Sequence, residues 1–280
     1  MSGLRGKVCA VTGAGSGIGR ALALGLAPRG GRLALADRDE AGLHATTEAV
    51  RAAGAEVHAQ PLDVADRDAV MAWAHAVAEH FGAVHQVYNN AGIAFSRTVE
   101  ESEWADYERV LGVNLWGVIH GTKAFLPHVI ASGDGHVINI SSLNGYLAQQ
   151  EMSHYVTSKF AVRGFTESLR IEMLNAGHRV GVTVVHPGGI KTSIADNALE
   201  HARALGQPIT EADEARRRMY NDKLLRMDPA EAAEIIIKGV ESRKPRVRVG
   251  NDAKVVDLLV RAFPSLYPRL VIAFEKRMGR

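Results

Sequence analysis

Two rhythms of apolar residues alternate along this chain. Short apolar or alternating runs occupy residues 7–11, 32–36, 56–62, 84–88, 136–140 and 182–186. Between them, residues 20–27, 39–53 and 65–81 carry apolar positions every three or four residues. The short runs suit strands, and those apolar at every position suit strands buried on both faces, while the longer stretches suit helices with one face on a core. Glycine or proline punctuates the helices, with Pro28 and Gly30, then Gly54, then Gly82 at their ends. Strict alternation of strand and helix predicts a parallel sheet with helices on both faces, a three-layer doubly wound α/β fold in a single domain. In such a fold ligands gather outside the carboxyl ends of the strands.

Candidate chemistry sits at those ends. The first strand runs into Thr12-Gly13-Ala14-Gly15-Ser16-Gly17-Ile18-Gly19, and a helix follows at once. Strand, glycine-rich turn and helix N-terminus make a phosphate site, because glycine admits close backbone approach and the helix start offers free amides. The spacing is T-G-x-x-x-G-x-G on Gly13, Gly17 and Gly19, not the common G-x-G-x-x-G. The second strand ends at Asp37, where a carboxylate could accept from both hydroxyls of a ribose and repel a 2′-phosphate. Arg38 beside it could instead greet a phosphate, and Ser16 adds no positive charge to the loop, so NAD is favoured over NADP. Asp37 could equally cap the helix that follows. Asp63-Val64 and Asn89-Asn90-Ala91-Gly92 end the third and fourth strands.

Tyr155 and Lys159 stand four residues apart and share a face if their segment is helical. A cation near a tyrosine favours the phenolate and brings a hydroxyl of reference pKa about 10 toward neutral working pH. On its own the pair reads as two surface residues. In the company of the other motifs the chain resembles the short-chain dehydrogenase/reductases, with counterparts in order from residue 4 to residue 192. These are the glycine loop, Asp63, Asn89 to Gly92, Asn114, Ser141-Ser142, Tyr155-x-x-x-Lys159 and Pro187-Gly188.

The resemblance implies a Rossmann-like fold and an oxidoreductase that interconverts a secondary alcohol and a ketone with a nicotinamide. It implies a catalytic set of Asn114, Ser142, Tyr155 and Lys159. Ser142 is taken over Ser141 because it stands thirteen residues before Tyr155. Tyr155 would exchange the proton, Ser142 hold the substrate oxygen, Lys159 lower the tyrosine and bind the nicotinamide ribose, and Asn114 hold a water in a proton relay. Cofactor contacts are implied for Gly13, Ser16, Gly17, Ile18, Gly19, Asp37, Arg38, Asp63, Val64, Asn90, Ala91, Gly92, Tyr155, Lys159, Pro187, Gly188, Ile190 and Thr192. A non-catalytic dinucleotide sensor on the same scaffold, or epimerase or dehydratase chemistry, are the alternatives.

The dehydrogenase domain is expected over residues 1–250, with 195–227, polar and rich in alternating charge, as a substrate lid. Residues 251–280 form a basic amphipathic extension. From residue 241 onward ten Lys/Arg face four Asp/Glu, against a whole-chain charge of +2. Packing on the core or a sister subunit, or a peripheral contact with an anionic membrane, would each use that face. Nucleic acid is not expected, for want of aromatics among the charges. A homodimer or homotetramer is expected from the family, whose four-helix contact uses the helices bearing Asn114 and Tyr155.

Composition changes little. A hydrophobic share of 46% and a charged share of 23% are those of a globular protein. The single cysteine, Cys9, excludes a disulfide within the chain, and its apolar run suggests an inert buried thiol. No apolar run reaches the ~18 residues of a spanning helix, so a cytoplasmic protein is expected. The twelve histidines show no metal spacing, and His154 reads as structural.

Overall fold

The computed structural model describes residues 3–204 and 209–277. Residues 205–208 of the expected lid and 278–280 of the tail lie outside the described residues. At the centre is a seven-stranded sheet in the order β3-β2-β1-β4-β5-β6-β7, every neighbouring pair parallel. The strands are β1 (Val8–Thr12), β2 (Arg32–Asp37), β3 (Val57–Pro61), β4 (Gln86–Asn89), β5 (Gly135–Ile140), β6 (Val180–Pro187) and β7 (Arg246–Val249). Connecting helices are α1 (Gly17–Leu26), α2 (Glu40–Ala52), α3 (Arg67–Phe81), α4 (Trp104–Leu111), α5 (Gly117–Ala131) and α6 (Ser153–Asn175). After β6 come α7 (Ile194–Ala204), α8 (Glu211–Met219) and α9 (Pro229–Glu241), and after β7 the tail helices α10 (Asn251–Ala262) and α11 (Tyr267–Arg277).

The unbroken apolar run at β1 has a geometric cause. Side chains alternate across a strand, so Val8 and Ala10 enter one core while Cys9 and Val11 enter the other. The first core holds Val70, Trp73 and Val77 of α3, Phe125 and Val129 of α5, and Leu169 and Met173 of α6. The second holds Leu22 and Leu26 of α1 with Ile236, Ile237 and Val240 of α9. Trp73 meets Phe125 edge-to-face at 5.0 Å, and both are fully buried. Trp73→Ala is expected to cost about 3–5 kcal/mol in urea unfolding, by lost apolar burial and the cavity left behind.

The chain order reverses between β1 and β4, which opens a crevice at their carboxyl ends. The stretch carrying Asn114 is helical throughout, but a π-helical turn over Gly112–Trp116 joins α4 to α5. A Cβ at Gly117 would lie 2.7 Å from Val64 Cγ2, so the chain passes close to the end of β3. The wider turn carries Asn114 inward, and its amide bonds help offset the irregular backbone.

Candidate active site

The glycine loop is shaped by contacts that leave no room for side chains. Gly13 has φ +67° and Gly17 +51°, and a Cβ at Gly19 would sit 1.9 Å from the Gly13 carbonyl oxygen. A Cβ at Gly17 would come within 3.0 Å of Thr192 Cγ2, so the loop after β6 returns to the glycine loop. Asp66 and Asp228 cap α3 and α9 with their side chains, whereas Ser16 makes no such bond at the start of α1. The first-turn amides of α1 therefore lack a side-chain cap. Together with the close glycines, this fits a pyrophosphate. Ile18 stands in the first turn of α1 and packs against the α1–α9 core.

Asp37 is half-buried at the end of β2 and Arg38 is exposed. One Asp37 oxygen accepts the Gly15 amide at 2.8 Å and the other accepts the Asp39 amide at 2.9 Å. The carboxylate thus faces the glycine loop and also braces the approach to α2. Asp63 is exposed and accepts the Ala65 amide at 2.9 Å, and Val64 is buried beside it.

Thr12 ties the glycine loop to residues 89–92. Its hydroxyl accepts the amides of Asn90 and Ala91 at 3.0 and 3.1 Å, and Asn90 Nδ2 donates to the Thr12 carbonyl at 2.9 Å. Asn114 is fully buried. Its Oδ1 accepts the Ile93 amide at 2.8 Å, while Nδ2 donates to the Ile93 carbonyl at 2.9 Å and to Ser158 Oγ at 3.2 Å. The side-chain amide is engaged with protein atoms at both ends, so what it visibly does is clamp the segment after Gly92. A Cβ at Gly92 would lie 3.3 Å from Asn114 Oδ1 and 3.5 Å from Lys159 Nζ, so this bare position lets all three meet.

Tyr155 and Lys159 occupy the first two turns of α6. The Ser142 side chain, two residues past β5, stands near enough to the Tyr155 hydroxyl to favour its phenolate. Ser141 is turned the other way and donates to the Lys159 carbonyl oxygen at 2.8 Å. Lys159 Nζ stands 5.5 Å from the Tyr155 ring centroid and donates to the Ile140 carbonyl oxygen at 3.2 Å. Burial dominates both titrations. It raises Tyr155 above its ordinary value, opposed by Ser142, and lowers Lys159 to about 8. The expected lowering of Tyr155 by Lys159 is not seen here: desolvation dominates, and the opposing influence comes from Ser142 rather than from the lysine.

The far wall is built by the loop after β6 and by described residues between 209 and 228. The Gly189 carbonyl accepts the amides of Arg226 and Met227 at 3.0 and 3.1 Å, and Ile190 bridges to Met227. Ile190 is buried, and Thr192 reaches Gly17. Tyr220 lies close enough to raise Tyr155 further, and its hydroxyl meets Met152 Sδ at 3.6 Å. Arg216 of α8 pairs with Glu151 and donates to Ser96 Oγ at 3.0 Å. A cleft of about 930 Å³ opens between Gly17, Arg20, Thr192, Asp196 and Asp228, beside the glycine loop rather than on Tyr155. Among the described residues there is no cluster of metal ligands, and no helix is long and apolar enough to cross a membrane.

The short chain dehydrogenase model matches residues 7–203. The chain belongs to the short-chain dehydrogenase/reductase family. Among relatives, SadH of Mycobacterium tuberculosis, an oxidoreductase by name, is 54% identical over 273 residues, covering 98% of this chain and 96% of the relative. A short-chain dehydrogenase/reductase of Burkholderia phymatum, solved in complex with NAD, superposes with a TM-score of 0.88 at 34% identity. It covers 95% of this chain and 97% of its own. Levodione reductase has a TM-score of 0.78 at 27% identity, with 90% and 98% covered. This protein is therefore an oxidoreductase of the family with a nicotinamide-type site.

Several residues of this short-chain dehydrogenase escaped sequence reasoning. Ser158 is fully buried, donates to the Tyr155 carbonyl at 2.6 Å and accepts from Asn114, so it links α6 to the π turn. Its place just before Lys159 was the available signal. His186 is buried, with Nδ1 2.8 Å from the Ser142 carbonyl oxygen and its ring 4.0 Å from Tyr146. Burial lowers it to about 4, so it is neutral and braces the Ser142 turn without charge. His154, expected to be structural, is buried against Phe95 and Tyr107, and its Nδ1 accepts the Tyr155 amide at 2.9 Å.

Proposed function

We propose that this oxidoreductase acts on CH–OH groups, interconverting a secondary alcohol and a ketone with NAD, with Tyr155 as general acid/base. The observation that carries the reading is the convergence of Tyr155, Ser142 and Lys159 beside Gly92, within reach of the glycine loop through Thr12 and Asn90. When bound, the nicotinamide accepts or supplies the hydride. Ser142 orients the substrate oxygen toward the Tyr155 hydroxyl, which donates the proton in reduction and takes it in oxidation. The Lys159 ammonium stabilises the charge that develops on the tyrosine oxygen and binds the nicotinamide ribose. Asn114 keeps residues 90–93 in place and supports the proton route past Lys159. Support also comes from levodione reductase, whose name makes it a reductase of a dione.

The test is a panel of secondary alcohols and ketones followed by NADH and NADPH absorbance. Turnover on none of them, with cofactor binding intact, would remove the dehydrogenase reading in favour of a sensor. NAD is preferred in this reading because Asp37 offers a carboxylate where a 2′-phosphate would otherwise sit. Asp37→Ser is expected to lower kcat/KM with NADH about tenfold and raise it with NADPH. A wild-type preference for NADPH would overturn the assignment of Asp37.

The remaining readings share this frame. Residues 195–227 act as the substrate lid, supported by Tyr220 beside Tyr155 and by the Arg216–Glu151 pair. Equal proteolysis with and without NAD and substrate would remove the lid. A homodimer or homotetramer is supported by exposed Trp104, Trp116, Ile171 and Leu174 around the α4–α6 face. A monomer in sedimentation velocity would exclude it.

A further inference from the structure

The tail beyond β7 makes a direct connection to the cofactor loop. Asp252 stands in the first turn of α10, and its Oδ2 accepts the Gly189 amide at 2.7 Å. The other oxygen accepts the Ala253 amide at 2.9 Å. Two glycines make room for this carboxylate. A Cβ at Gly188 would lie 2.1 Å from Asp252 Oδ1 and one at Gly250 would lie 2.3 Å from it. Gly250 also has φ +100°, a conformation that turns the chain from β7 into α10 and that L side chains rarely adopt.

Nor is α10 free to drift. Asp257, one turn further on and only 3% exposed, accepts from Arg248 of β7 at 2.9 Å and from Arg261 at 2.7 Å. A buried carboxylate between two guanidiniums fixes the helix to the sheet edge, because separating them would leave a charge desolvated and unpaired. The Gly188 amide donates to the Val249 carbonyl at 2.9 Å. Gly189 is therefore held from two sides, its amide by the tail and its carbonyl by Arg226 and Met227.

We propose that the C-terminal extension sets the position of the loop 187–192 for cofactor binding, with Asp252 as the positioning residue. The inference rests on the nicotinamide reading of that loop. Asp252 touches neither cofactor nor substrate. It acts by fixing the Gly189 peptide, and through it the direction in which Ile190 and Thr192 leave the strand. Loss of a charge-assisted hydrogen bond at an exposed site lets the loop sample other positions, and the cofactor must then select the competent one.

The test uses the full chain and reads NADH binding by fluorescence titration, which needs no substrate, alongside kcat, KM for the cofactor and Tm. Asp252→Ala is expected to raise the NADH Kd and the cofactor KM about tenfold, with kcat changed less than about threefold. Asp252→Asn keeps an acceptor oxygen for Gly189 and is expected to recover most of the binding. Lys254→Ala, on the same helix turn but away from the loop, should leave binding unchanged. An Asp252→Ala protein that binds NADH within about twofold of the parent overturns the inference, whatever its Tm. So does Asp252→Asn binding as weakly as Asp252→Ala. A parent chain that binds neither NADH nor NADPH would instead strike the underlying nicotinamide reading.

Discussion

Tyr155→Phe is expected to lower kcat roughly 100- to 10,000-fold, the usual range for removing a positioned acid or base. Only one oxygen is lost, and the ring that stacks near Lys159 stays, so cofactor affinity and unfolding free energy should change little. The Ser142 hydroxyl loses a neighbour but keeps the Asn144 amide, which it accepts at 3.1 Å. The pH dependence has a definite sign. Burial holds Tyr155 protonated at neutral pH, so reduction starts from the correct form and its rate falls as pH rises through the tyrosine pKa. Oxidation needs the phenolate and speeds up over the same interval. Parallel pH–rate profiles in both directions check this, and a variant that retains parental kcat would end the acid/base assignment.

What the sequence made legible, and what it hid, divides by physical cause. The strands were readable because short runs such as Val8 to Val11 are apolar on both faces and are closed at once by turn residues, which leaves too little length for a buried helix. The glycine loop was readable because close backbone approach leaves one residue type. Contacts between distant segments were not. Nothing local says that Asp252 will lie under Gly189, 63 positions earlier, or that the Asn114 amide will close on Ile93. The π turn at Gly112–Trp116 was invisible for a related reason, since its cost is offset by tertiary bonds that a periodic pattern does not encode. The balance between Tyr155 and Lys159 was also out of reach. Spacing alone gives their proximity, but desolvation, which dominates both shifts, depends on what covers them.

That balance makes Lys159→Met the second large effect, and it acts in opposite senses on activity and stability. Lys159 is 4% exposed, and its recorded partners are the Ile140 carbonyl and the Tyr155 ring rather than a carboxylate. Activity is expected to fall about 100- to 1,000-fold, since in the proposed mechanism the ammonium stabilises charge developing on the tyrosine oxygen. Stability should rise. The folded pKa of about 8 lies below the ordinary 10.5, so between those values the unfolded chain binds more protons than the native one. Native stability therefore increases with pH across this window, and below about 8 the full cost of the buried charge is in force. A depression of this size corresponds to roughly 3 kcal/mol. Methionine fills a similar volume without the charge, so the variant should unfold at higher urea at pH 7, lose most of its excess over the parent by pH 10 and the rest above 10.5. Buried Tyr146, pushed up to about 12, adds its own loss of stability above pH 10, but equally in both proteins. A variant less stable than the parent at pH 7 would mean that the Lys159 bond to Ile140 outweighs its desolvation, and the catalytic lysine would then be a structural asset rather than a cost accepted for function.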